Sequence, residues 1–239
     1  MKLSTPLLRR IHKWIGLLLG LQFVIWTVSG AVMAVLDMET VAGGPHVPVE
    51  TRALPAGSKS WATVQQSLGG TAITSVEMRP MLDRHVFEIG TVAGTRLFDA
   101  ETGAQVAIDA VFAKRVAEQA HIGSGLVKRI GLLKEPSFAV REHSLPVWRI
   151  DFADNENSSF YVSQATGRLL ERRNDTWRIW DFVWMLHNMD YLNRSSFNHP
   201  LIIIVGFGVM WLAITGFWLL FRTKWRPDIR RLRLRNRPH

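Results

Sequence analysis

Cysteine is absent from all 239 residues of this sequence. The absence excludes a disulfide framework and any thiolate-bound metal or iron–sulfur site. We also find no Ser-His-Asp order, no phosphate-binding glycine loop and no paired-carboxylate signature, so no catalytic residue is assigned. A nucleic-acid role is not supported either, because the formal net charge of +9 comes with no groove-reading or RNA-binding motif.

Charge is missing from two long segments near the ends of the chain. Residues 14–36 and 201–221 each supply roughly 20 uncharged, mostly apolar residues, which is the length that crosses a lipid bilayer once. The sequence between them has ordinary mixed polarity. The pattern therefore predicts a two-span membrane protein with one large extramembrane domain, and we interpret the first run as an uncleaved anchor because it exceeds a signal-peptide core in length.

Basic residues lie just outside both apolar runs. Those before the first run are Lys2, Arg9, Arg10 and Lys13, and those after the second are Arg222, Lys224, Arg226, Arg230, Arg231, Arg233, Arg235 and Arg237. Lysine and arginine flanking membrane helices favour the cytoplasmic side. We therefore predict cytoplasmic ends at residues 1–10 and 222–239, spans at 11–36 and 199–221, and a periplasmic central domain in a bacterial inner membrane.

The central domain contains a weak internal repeat. Thr-Gly pairs at residues 102–103 and 166–167 each separate two β-rich runs, as in a hairpin whose glycine takes a positive φ. Spaced apolar residues at 60–68 and 110–121 predict a helix ahead of each copy. We predict an α+β domain of two helix-plus-antiparallel-sheet repeats, at residues 58–109 and 110–173, with a Gly/Pro-rich linker at 37–57.

An aromatic stripe precedes the second apolar run. Its members recur at helical spacing and are Trp177, Trp180, Trp184, His187 and Tyr191. Because tryptophan and tyrosine prefer the headgroup layer, residues 174–195 are predicted to form an amphipathic helix at the membrane surface. Asp181 and Asp190 flank the histidine; they either orient it or belong to the wet face of the helix, and the wet face is the commoner arrangement.

Each apolar run begins with a histidine, His12 in the first and His199 in the second. A hydroxyl–glycine pair follows each, Ser29-Gly30 and Thr215-Gly216, after about 17 residues or ~25 Å of helix. The spans run in opposite directions, so the two imidazoles are predicted at opposite membrane faces. Ionisable side chains at membrane depth are functional candidates.

Several motifs in order resemble the PepSY-associated transmembrane family. They are RIHKWIGL at 10–17 continuing to Ser29-Gly30, LPVWRIDF at 145–152 with FYV at 160–162 and ATGR at 165–168, and MLHNMDY at 185–191. The resemblance implies an inner-membrane protein with a periplasmic domain of duplicated PepSY units. Some relatives are b-type cytochromes that pass electrons to ferric siderophores or other ferric chelates, with membrane histidines as haem ligands.

The resemblance makes His12, His187 and His199 candidate ligands of the iron of haem b. Gly16 and Gly20 follow His12 at i+4 and i+8, which clears a helix face for a porphyrin, although the same spacing is the small-xxx-small pattern of packed membrane helices. On the outer side His187 and His199 are equal candidates, and both could bind one iron. The alternative for all three is an interfacial position without a ligand.

His12 has no partner histidine at its own depth, and many cytochrome relatives have four or more spans where this chain has two. We therefore favour a homodimer that places two His12 residues across a four-helix bundle, with a different membrane subunit as the alternative. Propionates would pair with Arg9, Arg10 or Lys13. The remaining histidines are predicted to be ordinary surface residues: His46, His85, His121, His143 and His239.

The leading functional hypothesis is a haem electron-transfer protein that reduces a periplasmic ferric chelate or siderophore. The sequence carries no flavin or nicotinamide fingerprint, so the electrons must come from quinol or another external donor. Two alternatives stay open. One is a non-enzymatic, membrane-tethered PepSY module that binds or regulates a partner, and the other is an accessory subunit of an uptake or respiratory complex.

Overall fold

A computed structural model describes residues 5–44, 60–123, 125–192, 194 and 196–225. The chain divides into two compact units. One contains the residues up to Val35 together with those from Trp180 onward, and the other is Leu36–Ile179. Each unit is described separately below.

The first unit contains the two apolar helices. Helix α1 is Thr5–Val35, and helix α6 is Pro200–Leu220, continued by a π-helical turn at Phe221–Trp225. Both are long and apolar enough to cross a bilayer. Few of their side chains are buried within the chain, which suits helices that face lipid or another subunit. Helix α1 begins at Thr5, six residues ahead of the predicted span.

The second unit holds two antiparallel sheets, each preceded by a helix. After the four-residue α2 at Met38–Val41, helix α3 at Trp61–Leu68 leads into β1 Ile73–Met81, β2 Arg84–Thr91 and β3 Gly94–Asp99. Helix α4 at Ala110–Ala120 leads into β4 Leu126–Leu133, β5 Val147–Ala153, β6 Ser159–Ser163 and β7 Leu169–Arg173. Strands pair in chain order in both sheets. The α+β class flanked by two apolar helices is confirmed.

Helix α4 packs on one face of the four-stranded sheet. Ala113 and Ala117 of α4 join Ile150 and Phe152 of β5 in a buried cluster. Side chains alternate along a strand, so Arg149 and Asp151 point to the other face. Helix α3 covers the three-stranded sheet through a similar apolar cluster. One face of each sheet is therefore apolar and covered, and the second sheet carries charge on its opposite face.

The two Thr-Gly turns have the backbone that the repeat predicted. Gly103 has φ +74° and Gly167 has φ +64°, a region that side chains disfavour. A Cβ on Gly103 would also lie 2.8 Å from the Ser60 carbonyl oxygen. Glycine is required there on both grounds.

The first part of the predicted linker is structured. Asp37 caps α2 by accepting a hydrogen bond from the Thr40 amide at 2.8 Å. The Thr40 carbonyl accepts from Asn174 Nδ2 at 2.8 Å, and the Gly44 carbonyl accepts from Arg172 Nη1 at 2.7 Å. Residues 37–44 are thus fixed to the end of β7, and residues 45–57 of the predicted linker lie outside the described part of the chain.

The aromatic helix is shorter than predicted. Helix α5 is Asp175–Asn188, and the next residue, Met189, has φ +57°. A left-handed residue directly after the last helical position ends a helix. Tyr191 therefore lies beyond the helix and does not continue the stripe formed by the three tryptophans and His187.

Candidate functional site

His12 of α1 is held by a hydroxyl group of α6. Its Nδ1 lies 2.7 Å from Thr215 Oγ1. The Thr215 hydroxyl has one proton and lies 2.8 Å from the Trp211 carbonyl; when it donates there, it accepts from the imidazole. That arrangement places the proton of the neutral His12 ring on Nδ1 and the lone pair on Nε2.

His187, at the end of α5, is held in the same way by α1. Its Nδ1 lies 3.0 Å from Ser29 Oγ, and the Ser29 hydroxyl donates to the Ile25 carbonyl at 2.6 Å. When the Ser29 hydroxyl donates to that carbonyl, it accepts from the imidazole. This places the ring proton on Nδ1 and the lone pair on Nε2. A further bond, from Trp26 Nε1 to the His187 carbonyl at 2.7 Å, fixes the end of α5 on α1.

A glycine completes both arrangements. A Cβ on Gly216 would lie 3.4 Å from Cε1 of His12, and a Cβ on Gly30 would lie 3.4 Å from Cε1 of His187. The missing side chain lets each imidazole lie directly against helix backbone. The two sites are therefore copies of one unit, in which a histidine from one element rests on a hydroxyl–glycine pair of another.

Nε2 is the available atom at both sites. Among the described residues, Nε2 of neither His12 nor His187 has a hydrogen-bond partner, and both side chains are partly exposed. An exposed nitrogen lone pair on a fixed imidazole can accept a proton or bind a metal ion. In the described part of the chain no three His, Asp or Glu side chains converge on a metal site.

His199 has a different role from the other two candidates. Its Nε2 donates to the Asn188 carbonyl at 2.7 Å. That carbonyl is one of the groups left without a helical partner at the end of α5. The bond ties the start of α6 to the end of α5, and it occupies the nitrogen that is available in His12 and His187. His199 Nε2 is therefore not available to bind an iron together with His187 in this arrangement.

Asp181 and Asp190 are buried, so the wet-face alternative is wrong. They are 3 % and 6 % exposed. Asp181 forms an ion pair with Arg194 at 2.8 Å, and Asp190 accepts from the Ser196 amide at 3.2 Å. Since α5 ends at residue 188, the chain turns back over these carboxylates, which brace the connection between α5 and α6.

The two candidate glycines of α1 differ in their surroundings. A Cβ on Gly16 would lie 3.9 Å from Leu212 of α6, whereas a Cβ on Gly20 would have nothing within 4 Å. A third glycine, Gly208 of α6, is tighter, with 3.0 Å to Leu19 Cδ1. Gly16 thus faces the neighbouring helix, and Gly20 faces open space.

Two other histidines depart from the predicted surface position. His85 is 8 % exposed, and so is the side chain of His121. His121 stacks on Phe152 at 4.2 Å and contacts Asp154 Oδ2 at 3.0 Å. Packing of the end of α4 on β5, which a single-residue pattern does not report, buries His121. His46 and His239 lie outside the described residues.

One group of residues was missed in the sequence. Lys128, Arg129, Arg149 and Arg178 line a common cavity in the second unit. They come from β4, β5 and α5, so no spacing in the sequence links them. The available signal was weak: two adjacent basic residues at 128–129 within the otherwise apolar strand β4.

The fold and these sites define a class: a two-helix membrane protein with an extramembrane α+β region and single-histidine sites on its helices. A family model described as the PepSY-associated TM region matches residues 9–239. The chain belongs to that family, as the motifs of the sequence predicted. No curated protein and no solved structure matches the chain.

Proposed function

We propose that this chain is an electron-transfer protein of the bacterial inner membrane that binds haem b through His12 and His187 and reduces a ferric chelate on the periplasmic side. The observation that supports the proposal is the repeated histidine site. Two imidazoles on separate elements have the same fixed tautomer, the same hydroxyl partner type and the same adjacent glycine.

The two sites fit an axial haem ligand. A metal-binding histidine usually donates its other ring N–H to a fixed acceptor, which sets the tautomer and the ring orientation. Thr215 and Ser29 are such acceptors, since both hydroxyls are buried and commit their own protons to backbone carbonyls. Haem would supply a one-electron centre whose potential depends in part on its axial ligands.

The two sites cannot share one iron. Ser29, which holds His187, lies 17 residues along α1 from His12, or ~25 Å at ~1.5 Å per residue. Each site therefore needs a second imidazole from outside the chain to complete bis-histidine ligation. A two-fold homodimer would provide it, because the symmetry brings identical residues together. The open face at Gly20 is where a second copy or a porphyrin could approach α1.

The proposed topology assigns one histidine site to each face of the membrane. With cytoplasmic ends, as the flanking charges predict, His12 lies near the cytoplasmic face and His187 near the periplasmic face. Arg9, Arg10 and Lys13 surround His12 in sequence and are available to propionates. The donor is proposed to be quinol, because the sequence carries no nucleotide-cofactor fingerprint of its own.

The test is the visible absorption spectrum of the protein purified from membranes of haem-replete cells. We expect a Soret band that is lost or shifted in His12→Gln and in His187→Gln. His199→Gln is expected to retain the band, since its Nε2 already donates to a carbonyl. His143→Gln is the matched control, because that histidine pairs with Glu171 in the second unit at 2.8 Å.

The competing functions predict other results. A colourless wild-type protein that is stable and monodisperse would contradict the cytochrome proposal and favour a tethered PepSY module. A protein that is coloured only after co-expression with a partner would favour an accessory subunit. Loss of the band in His199→Gln but not in His187→Gln would refute the ligand assignment.

A further inference from the structure

A basic cavity lies on the four-stranded sheet of the second unit. Its volume is about 210 Å³, and four cationic side chains line it: Lys128, Arg129, Arg149 and Arg178. Asp151 and Ser159 lie among them. The cavity is smaller than the ~300–1,000 Å³ of pockets that hold drug-sized molecules, so a fitting ligand is small.

A bulge in β4 brings two of these cations together. Val127 pairs with Phe152 and Arg129 pairs with Asp151, which leaves Lys128 as an extra residue between them. Bulges redirect side chains and are common beside functional sites. Lys128 and Arg129 are both exposed and both line the cavity, and neither has an ion-pair partner among the described residues.

The floor of the cavity is a hydrogen-bonded network. Ser159 Oγ donates to Asp151 Oδ1 at 2.7 Å and receives Arg178 Nη2 at 3.1 Å. Arg149 donates through Nε to Asp151 at 2.7 Å. The network holds both guanidinium groups in place. The terminal nitrogens of Arg178 already donate to Asp175, Ser159 and the Asn157 carbonyl, whereas Nη1 of Arg149 has no partner among the described residues.

Positive charge is in excess at this site. Asp151 neutralises one of the four cations, and Asp175, which pairs with Arg178 at 2.6 Å, neutralises a second. Two positive charges are left uncompensated in the group, and they repel each other unless an anion binds. Fixed guanidinium groups with free N–H donors recognise carboxylate and phosphate oxygens.

We propose that this cavity binds a small multivalent oxyanion, with Lys128 and Arg129 supplying the unpaired charge and Arg149 the oriented donor, while Arg178 holds the floor of the cavity through Ser159. Two excess charges favour a ligand with at least two negative charges over a monocarboxylate. The site belongs to the second unit alone, and it does not depend on haem binding by the histidines of the first unit.

Isothermal titration of the full-length protein in detergent at low salt tests the proposal. Citrate and inorganic phosphate are the multivalent probes, and acetate is the monovalent one. We expect saturable binding of at least one multivalent probe, weak or no binding of acetate, and affinity that falls as salt rises. Tighter binding of citrate identifies a polycarboxylate ligand, and tighter binding of phosphate identifies a phosphate ligand.

The decisive variant is Lys128→Gln/Arg129→Gln. Both side chains are exposed, so the thermal midpoint is expected to be unchanged while binding weakens about 10- to 100-fold. Lys114→Gln/Lys134→Gln removes the same charge elsewhere on the second unit and is expected to bind within about 2-fold of wild type. No binding of either multivalent probe, or equal weakening by both double variants, would overturn the proposed site.

Discussion

At the scale of single residues, the defining feature is a hydroxyl group that donates to a carbonyl of its own helix and accepts from a histidine. Ser29 and Thr215 each donate to the carbonyl four residues back in their own helix. Such a bond satisfies the hydroxyl inside an apolar segment and leaves its oxygen as an acceptor. The oxygen then favours the Nδ1–H tautomer of the facing histidine. Ser29 and Thr215 thereby set the tautomer and the orientation of His187 and His12.

If His12 and His187 bind haem as proposed, removal of these hydroxyls should loosen both imidazoles without replacing either proposed ligand. We expect Ser29→Ala and Thr215→Val to weaken haem retention by about 10- to 100-fold and to shift the midpoint potential. Thr27→Val and Thr223→Val are matched controls, because those hydroxyls also bond backbone carbonyls of their own helices. Haem titration and a redox titration measure the effect, and equal losses in the controls would assign it to helix stability.

Asp154 provides a pH-dependent prediction in the second unit. Burial raises the pKa of its carboxyl, but bonds from the Ser158 amide and from His121 outweigh burial, and the net pKa is lowered. The folded state therefore binds this proton less readily than the unfolded state does. Its contribution to stability is present above the ordinary carboxyl pKa of about 4 and is lost as pH falls through the lower folded pKa.

Asp154→Asn should therefore lower the free energy of unfolding by about 1–3 kcal/mol at pH 7, and by less below pH 4. Chemical denaturation across this pH range, followed by far-UV circular dichroism, measures the difference. Asp83→Asn is the comparison, because that carboxylate is 58 % exposed and should contribute little. A loss that is the same at pH 3 and pH 7 would contradict the assignment.

At the scale of elements, two glycines of the apolar helices have separable roles. Gly208 lets α6 approach Leu19 of α1, whereas Gly20 faces open space. A large side chain at position 208 must displace the Leu19 side chain or the helices, and overpacking of this kind costs about 1–3 kcal/mol. A large side chain at position 20 leaves the contact between α1 and α6 unchanged.

Gly208→Leu is therefore expected to lower the thermal midpoint and to weaken both histidine sites. Gly20→Leu is expected to keep the thermal midpoint of the chain but to reduce dimer formation and colour, because it fills the face proposed for a second copy. Native mass spectrometry in detergent and the Soret band report these effects. A Gly20→Leu protein that stays dimeric and coloured would place the dimer contact elsewhere.

At the scale of the whole molecule, the absence of cysteine allows a direct test of topology. Val92 is 78 % exposed at the turn between β2 and β3, and Lys224 follows α6 in the π-helical turn. In spheroplasts, a membrane-impermeant maleimide is expected to label Val92→Cys at once and Lys224→Cys only after lysis. Wild type, without a thiol, is the blank, and immediate labelling of Lys224→Cys would reverse the proposed orientation.

Patterns local in the chain made the overall architecture predictable. Runs without charge indicated the two apolar helices, and the repeated Thr-Gly turns indicated a domain built from two helix-and-sheet copies. The hydroxyl–glycine pairs were visible in the sequence as well, but only as features that follow a histidine in the same helix. Their role as acceptors for a histidine of another element was not visible.

The sequence by itself thus determined the two apolar helices and the α+β class, because each depends on composition or periodicity within one segment. The family and the histidine candidates came from motifs that resemble a known family. Only the tertiary structure decided that His12 rests on Thr215 and His187 on Ser29, contacts that span 203 and 158 residues. It also buried Asp181 and gathered four cations around Ser159. Such contacts depend on which faces of distant elements meet, and periodicity within one element does not carry that information.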